Sequence, residues 1–200
     1  FYGMGKIKLQ KELSLDSVDA RKLFQTYHGK VPFVKQLSYA LSDFATDEGL
    51  LFTLGDRFCR FNKWETNDKK WNNDKQRFDE VPLYNNKEQA MDAYKLEQMK
   101  KYKELTDPEC EFFDKHYTRA FTYKALNRLI QGSAADMTKK AMVDLYEKGV
   151  IPHIQIHDEL CFSTTDHESK MIKETMEQTI PLEVKNKVDY ESGPNWGAIK

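Results

Sequence analysis

The chain has 200 residues, 40% hydrophobic and 32% charged, enough for one domain or two small ones with a folded core. A formal net charge of -1 excludes a uniformly basic nucleic-acid-binding module, so any surface that meets nucleic acid has to be locally basic. No apolar run approaches the roughly 18 residues of a membrane span, no signal peptide is visible, and Cys59, Cys110 and Cys161 form no C-x-x-C pair.

Those thiols are expected to stay reduced, as in an intracellular protein, with neither a disulfide framework nor a zinc site. The chain opens on Phe1-Tyr2-Gly3 without a methionine or a lead-in, so it is expected to be a piece of a longer protein.

Residues 1 to about 48 read as helices. Ser14 or Asp16 is placed to cap one that holds Val18, Leu23 and Phe24, and Pro32 opens another that holds Phe33, Leu37, Leu41 and Phe44. Gly49 ends it. Leu50 to Phe58 then reads as an apolar strand, a tight turn and a returning strand. From 61 to about 86 the composition shifts to Asn, Asp and Lys, punctuated by Trp64, Trp71 and Phe78, which predicts a surface excursion. Lys87 to Leu105 reads as a charged, solvated surface helix with Met91, Tyr94, Gln98, Tyr102 and Leu105 along one side.

From Thr122 the pattern sharpens. Leu126, Ile130, Ala134, Met137, Ala141 and Leu145 recur at spacings of four and three, one apolar stripe of a long helix. Gly149 and Pro152 stop it. In Ile154-Gln155-Ile156-His157-Asp158-Glu159-Leu160-Cys161-Phe162 the apolar positions alternate as in strands. Residues paired across an antiparallel hairpin share a face. Pairing Ile156 with Leu160 and Ile154 with Phe162 puts all four on one apolar side. That parity predicts a three-residue connection, His157-Asp158-Glu159, with a carboxylate at its tip. A helix over Asp166 to Thr179, with Met171, Ile172 and Met176 inward, and a short strand over Leu182 to Val188 complete the reading.

Asn127-Arg128-Leu129-Ile130-Gln131-Gly132-Ser133-Ala134-Ala135-Asp136, followed by Gln155-Ile156-His157-Asp158-Glu159-Leu160, closely resembles the C-terminal region of family A DNA polymerases. Phe1-Tyr2-Gly3-Met4 resembles the end of that family's fingers helix. Thr53-Leu54-Gly55-Asp56-Arg57 is similar to its Thr-Leu-x-Gly-Arg turn, with Gly and Asp exchanged. The resemblance implies an α+β fold: the end of a helical fingers subdomain and a partial palm with an antiparallel sheet and a His-Asp-Glu β-hairpin. Residues 1–50 would be fingers, 51–60 a strand-turn element, 61–115 an inserted surface region and 116–200 palm.

The resemblance also implies primer extension with dNTPs on a DNA template, two Mg2+ ions and Asp158 as a metal-binding catalytic aspartate. Magnesium takes hard oxygen ligands, which fixed carboxylates supply. Glu159 would be a supporting acid and His157 would lie near the primer terminus. Tyr2 would stand beside the templating base, where an aromatic ring can stack, and Gly3 would let the strand pass. Asn127 and Gln131, one helical turn apart, would reach acceptors on the minor-groove side of primer-template DNA.

Arg57, Lys124 and Arg128 are candidate phosphate contacts, and Arg119 or Lys124 is a candidate to replace a basic residue that the family often carries where this chain has Tyr123. Asp136, on a helix away from the hairpin tip, is expected to be structural. The second catalytic aspartate and the triphosphate-holding Arg and Lys are absent, so the 200 residues are expected to be inactive alone. A single-subunit RNA polymerase and a non-catalytic DNA-binding module are the rival readings. Any processivity factor is left open.

Overall fold

A computed structural model of the chain describes residues 5–74, 77–102 and 112–198. Tyr2, Gly3, Leu105 and Cys110 lie outside them. The chain is α+β and divides into two units, one of Phe1–Leu51 with Phe58–Arg128, the other of Phe52–Arg57 with Leu129–Lys200. Among the described residues no helix is long and apolar enough to cross a membrane.

Three helices begin the first unit: α1 (Lys6–Glu12), α2 (Ser17–Lys30) and α3 (Pro32–Glu48). Of the two candidate caps, Asp16 is the one used. Its carboxylate accepts the N–H groups of Val18 and Asp19, each at 2.8 Å, satisfying two of the first-turn donors that no helical carbonyl can reach. Pro32 starts α3 where its missing N–H costs nothing, and Gly49 ends it at φ +74°, a left-handed conformation that L side chains rarely adopt. The apolar positions expected on α2 and α3 are not all covered. Val18, Phe33 and Phe44 remain exposed, whereas Ala20 and Ala45 are buried.

Strands β1 (Leu50–Phe52) and β2 (Phe58–Arg60) pair as expected. The region from 61 onward is more ordered than its polar composition predicts. It contains β3 (Trp64–Thr66), β4 (Trp71–Asn72), β5 (Arg77–Phe78), β6 (Leu83–Tyr84), α4 (Lys87–Lys101), α5 (Phe113–His116) and β7 (Tyr117–Arg119). β3 is the middle strand of a three-stranded antiparallel sheet, with Trp64 opposite Tyr84 on one side and Arg119 on the other. Packed on it is a core of Trp64, Ala90, Tyr94, Phe113 and Tyr117. The Phe113 and Tyr117 rings stack at 5.1 Å, and Trp64 lies 5.5 Å from Phe113. Burial pushes the Tyr117 phenol well above its ordinary range, helped by its hydrogen bond with Tyr84.

α4 is therefore not a solvated surface helix. Ala90 and Tyr94, one turn apart, are drawn into the aromatic core. The prediction failed because three or four large rings bury much area through few positions, leaving the charged residues around them to dominate the composition.

The long helix, α6, runs from Ala125 to Glu147. It ends where predicted: the Val150 N–H returns to the Leu145 carbonyl at 2.9 Å, with Gly149 at φ +81°. The apolar stripe holds at the ends of the helix, where Leu126, Ala141 and Leu145 are buried, and fails in the middle. Ile130 and Ala134 are exposed there, and Ser133 and Asp136 are buried instead.

Beyond α6 come β8 (Ile154–Ile156), β9 (Glu159–Cys161) and α7 (Asp166–Gln178). Thr165 and Glu168 form a reciprocal capping box at the start of α7. Ile172 is buried on its inner side, with Met171 and Met176 half-buried beside it. No strand forms over Leu182 to Val188. The Val188 N–H donates to the Glu177 carboxylate at 3.0 Å instead of to a neighbouring strand, and Val184 is 81% exposed.

The hairpin exists with a different register from the one parity predicted. Ile156 pairs with Glu159, Gln155 with Leu160 and Ile154 with Cys161, so the connection is His157-Asp158 alone and Glu159 begins β9. Parity fixes register only where one face is buried. Here Ile154 is 40% exposed, and neither face imposes the choice.

Candidate active site

Asp158 owes its place to a two-residue turn. His157 sits at φ +53°, in the left-handed region that short hairpin loops require and that histidine enters more readily than β-branched residues do. The Gln155 side-chain amide donates to the His157 carbonyl at 3.1 Å, and the His153 N–H donates to the Cys161 carbonyl at 2.8 Å just beyond the ladder. These bonds hold the tip from both sides. His157, Asp158 and Glu159 are all exposed.

The tip thus presents a carboxylate to solvent on a braced two-strand support. Asp158 and Glu159 are hard oxygen donors of the kind Mg2+ takes, and that ion is often bound through only one or two carboxylates with water completing its shell. Among the described residues no group of three or more His, Cys, Asp or Glu side chains is placed to hold a metal. The chemistry of these two exposed carboxylates fits a divalent ion only as part of a larger ligand set.

In the same unit, the middle of α6 grips the turn at 53–57. The Asp136 carboxylate accepts from the Arg57 Nε and, at 3.1 Å, from the Gly55 N–H, while the Ser133 hydroxyl accepts the Leu54 N–H at 3.1 Å. Arg57 Nη2 also donates to the Gly132 carbonyl at 3.2 Å. A side chain at 55 would meet Asp136 Cβ and Cγ at 2.9 Å, which is why this approach needs glycine. Gly132, Ser133 and Asp136 thus explain much of the Gln-Gly-Ser-Ala-Ala-Asp signature as the docking face for a turn roughly 80 residues earlier. The expected structural role of Asp136 fits these contacts. The guanidinium of Arg57, read as a phosphate contact, is engaged by Asp136.

Asp136 is buried, which works to raise its pKa, but hydrogen bonds from Thr53, Arg57 and the Gly55 N–H, with the charge of Arg57, hold it below the ordinary carboxylate value. A carboxylate lowered in the folded state stabilises fully above its unfolded pKa and loses that contribution as pH falls through the folded one. Asp136→Asn is expected to cost about 2 kcal/mol near pH 7, discounted because Arg57 is half-exposed. The gap between wild type and variant should close below roughly pH 4. Hydrogen exchange of the Leu54 and Gly55 amides would read it; equal protection in both proteins at neutral pH would exclude the clamp.

Asn127 and Gln131 lie one turn apart on α6, Gln131 exposed and Asn127 half-buried, its side-chain carbonyl enclosed and without a hydrogen-bond partner among the described residues. Arg119, one candidate to replace a basic group at position 123, is engaged within the first unit. Its Nε and Nη1 donate to the Thr46 and Phe61 carbonyls at 2.9 and 3.2 Å, and its guanidinium lies over Trp64. Lys124 stays exposed. Cys59 and Cys161 are free thiols.

The family model for DNA polymerase family A matches residues 1–198. A DNA-directed DNA polymerase of Pseudomonas phage M6 is 34% identical over 180 residues, 90% of this chain and 20% of that protein. DNA polymerase I of Bacillus subtilis is 45% identical over 82 residues, 36% of this chain and 9% of that enzyme. Among solved structures, the polymerase domain of Pol1 from M. smegmatis, in complex with DNA primer-template and dNTP, matches 99% of this chain and 29% of its own with a TM-score of 0.62. At 21% identity that likeness speaks for the fold. The chain spans about a fifth of the length of the phage relative. With the family pattern matched along almost its whole length, and the turn, helix and hairpin in the family's order, the chain belongs to DNA polymerase family A.

Proposed function

We propose that this chain is the Asp158-bearing part of a template-directed DNA polymerase that extends a primer with dNTPs. The observation that carries the reading is the exposed Asp158 carboxylate, raised on a braced two-residue turn after the Gly132-Ser133-Asp136 helix of the family. In this reading residues 1–50 end the fingers, 61–115 are an insertion and 116–200 belong to the palm.

A pair of magnesium ions, when bound, would activate the primer hydroxyl and steady the leaving pyrophosphate. Asp158 would be one of the carboxylates that hold them. Glu159 adds negative charge beside it at the start of β9. Asn127 and Gln131 offer amide donors to minor-groove acceptors that all base pairs share, a test of pair shape without sequence. The matched polymerase domain of Pol1, solved with DNA primer-template and dNTP, supports the same substrates here.

The test is primer extension in magnesium by the full-length polymerase that carries this chain, with dNTPs and separately with rNTPs. Extension with dNTPs is expected, and none from the 200 residues alone. Extension with rNTPs only would assign an RNA polymerase. Primer-template binding without any extension would make the chain part of a binding module.

A further inference from the structure

Within the first unit, the two ends of the 61–115 region meet in a cleft of about 360 Å3 lined by Arg60, Lys63, Lys124 and Arg128 around Phe61 and Phe121. Four of these six side chains are cations, and among the described residues the lining contains no carboxylate. Among the described residues none of the four is ion-paired. In a chain of net charge -1 with nearly equal numbers of acids and bases, that local excess is not a by-product of composition. Like charges gathered around one concavity repel one another unless an anion joins them.

The floor of the cleft and one of its cations are fixed, while Arg60, Lys63 and Lys124 are exposed at its rim. Phe61 is buried and forms its floor. The Arg128 guanidinium lies 4.6 Å from the Phe61 ring centroid, and its Nη1 donates to the Arg60 carbonyl at 3.2 Å. That contact holds the fork in place with other N–H donors to spare. The walls are tied at the base by the Ala120 N–H, which donates to the Lys63 carbonyl at 2.7 Å. Phe121 takes φ +66°, unusual for a bulky residue, and its carbonyl accepts the Lys124 N–H at 2.9 Å. The turn this makes brings Lys124 to the cleft, its Nζ 4.8 Å from the Phe121 ring. Backbone strain of this sort persists where surrounding contacts over-determine it.

We propose that this cleft holds a backbone phosphate of bound DNA. The claim rests on the polymerase reading and adds a contact made at the root of the inserted region, with Arg60 and Lys63 at its start and Lys124 and Arg128 after it. Phosphate is the anion that fits best. Its charge is spread over several oxygens, a fixed Arg fork and mobile Lys ammonium groups can share them, and phosphate contacts position a duplex without reading sequence. A free pyrophosphate or nucleotide offers the same chemistry, and the test separates the two sources.

The full-length polymerase would be compared with its R60Q/K63Q/K124Q variant, and with K63R/K124R, for primer-template affinity by fluorescence anisotropy across a salt series. Arg128 is left in place because it packs on Phe61. The Gln variant is expected to bind about 10-fold more weakly at moderate salt, with the slope of log affinity against log salt shallower by roughly 1 to 2. The Arg variant should bind as wild type does. An unchanged slope in the Gln variant overturns the proposal, as does equal loss in the Arg variant, which would show that packing and not charge is at stake. Calorimetric titration with pyrophosphate gives the other arm. If the Gln variant loses pyrophosphate binding and keeps DNA affinity, the cleft serves free phosphates and the backbone assignment is wrong. Normal extension by wild type with normal DNA binding in the Gln variant rejects this cleft alone. Wild type that neither binds nor extends primer-template rejects the polymerase reading with it.

Discussion

Replacing Asp158 by Asn in the full-length polymerase is expected to slow templated primer extension by about 10^3-fold, the several kcal/mol that metal-assisted charge stabilisation supplies at 1.36 kcal/mol per decade. The substitution preserves side-chain shape and remains favourable in a turn, so the hairpin with Gln155 bridging to His157 should survive. What is lost is the anionic oxygen. Affinity for primer-template should stay within about threefold, because phosphate contacts elsewhere dominate it. Single-turnover extension measured beside DNA binding separates the two effects. A variant that extends within about tenfold of wild type would mean that the hairpin is scaffold and that the catalytic carboxylates are elsewhere.

Phe113→Ala should produce the largest loss of stability, about 3–5 kcal/mol in the first unit. Phe113 is 1% exposed and sits among Trp64, Tyr94 and Tyr117, whose rings it meets at 5.5, 6.0 and 5.1 Å. Large rings held at fixed angles by a short sheet collapse poorly into a void, so most of the cavity cost should remain. Limited proteolysis of the full-length protein is the sensitive measurement. Cleavage between 61 and 115 should rise by roughly 10^2-fold or more as local opening becomes accessible. Phe113→Leu, which refills much of the space, should recover a large part of the protection. If Phe113→Ala is cleaved no faster than wild type, these aromatics do not form a cooperative core.

What the sequence showed clearly was whatever depends on neighbours. Asp16, Gly49, Gly149 and the 154–161 hairpin announce themselves through side chains within a few positions of the backbone they cap or turn. Family membership was legible for a similar reason, since the motifs are contiguous. Register at the hairpin was not, because both of its faces are partly open to water and the parity rule had no buried side to act on. The sheet around Trp64 was hidden by brevity. Strands of two or three residues show no alternation, and their partners lie far along the chain. Asp136 could be read as structural, but what it holds could not, because Leu54, Gly55 and Arg57 are joined to α6 only by tertiary contacts. Among the described residues, the convergence of Arg60 and Lys63 with Lys124 and Arg128 depends on the same kind of closure.

The bond between the Ala120 N–H and the Lys63 carbonyl, continued by Trp64 facing Arg119, means that the chain departs on its excursion and comes back at one spot. To the rest of the protein everything between those points is a single loop with fixed ends. The entropy of closing a loop grows only with the logarithm of its length, about 0.6 kcal/mol for each doubling. Evolution can therefore lengthen, trim or exchange this segment almost independently of the fold around it, provided that the doorway stays shut. Related polymerases should accordingly differ most in what they carry between these two strands and least in the strands themselves.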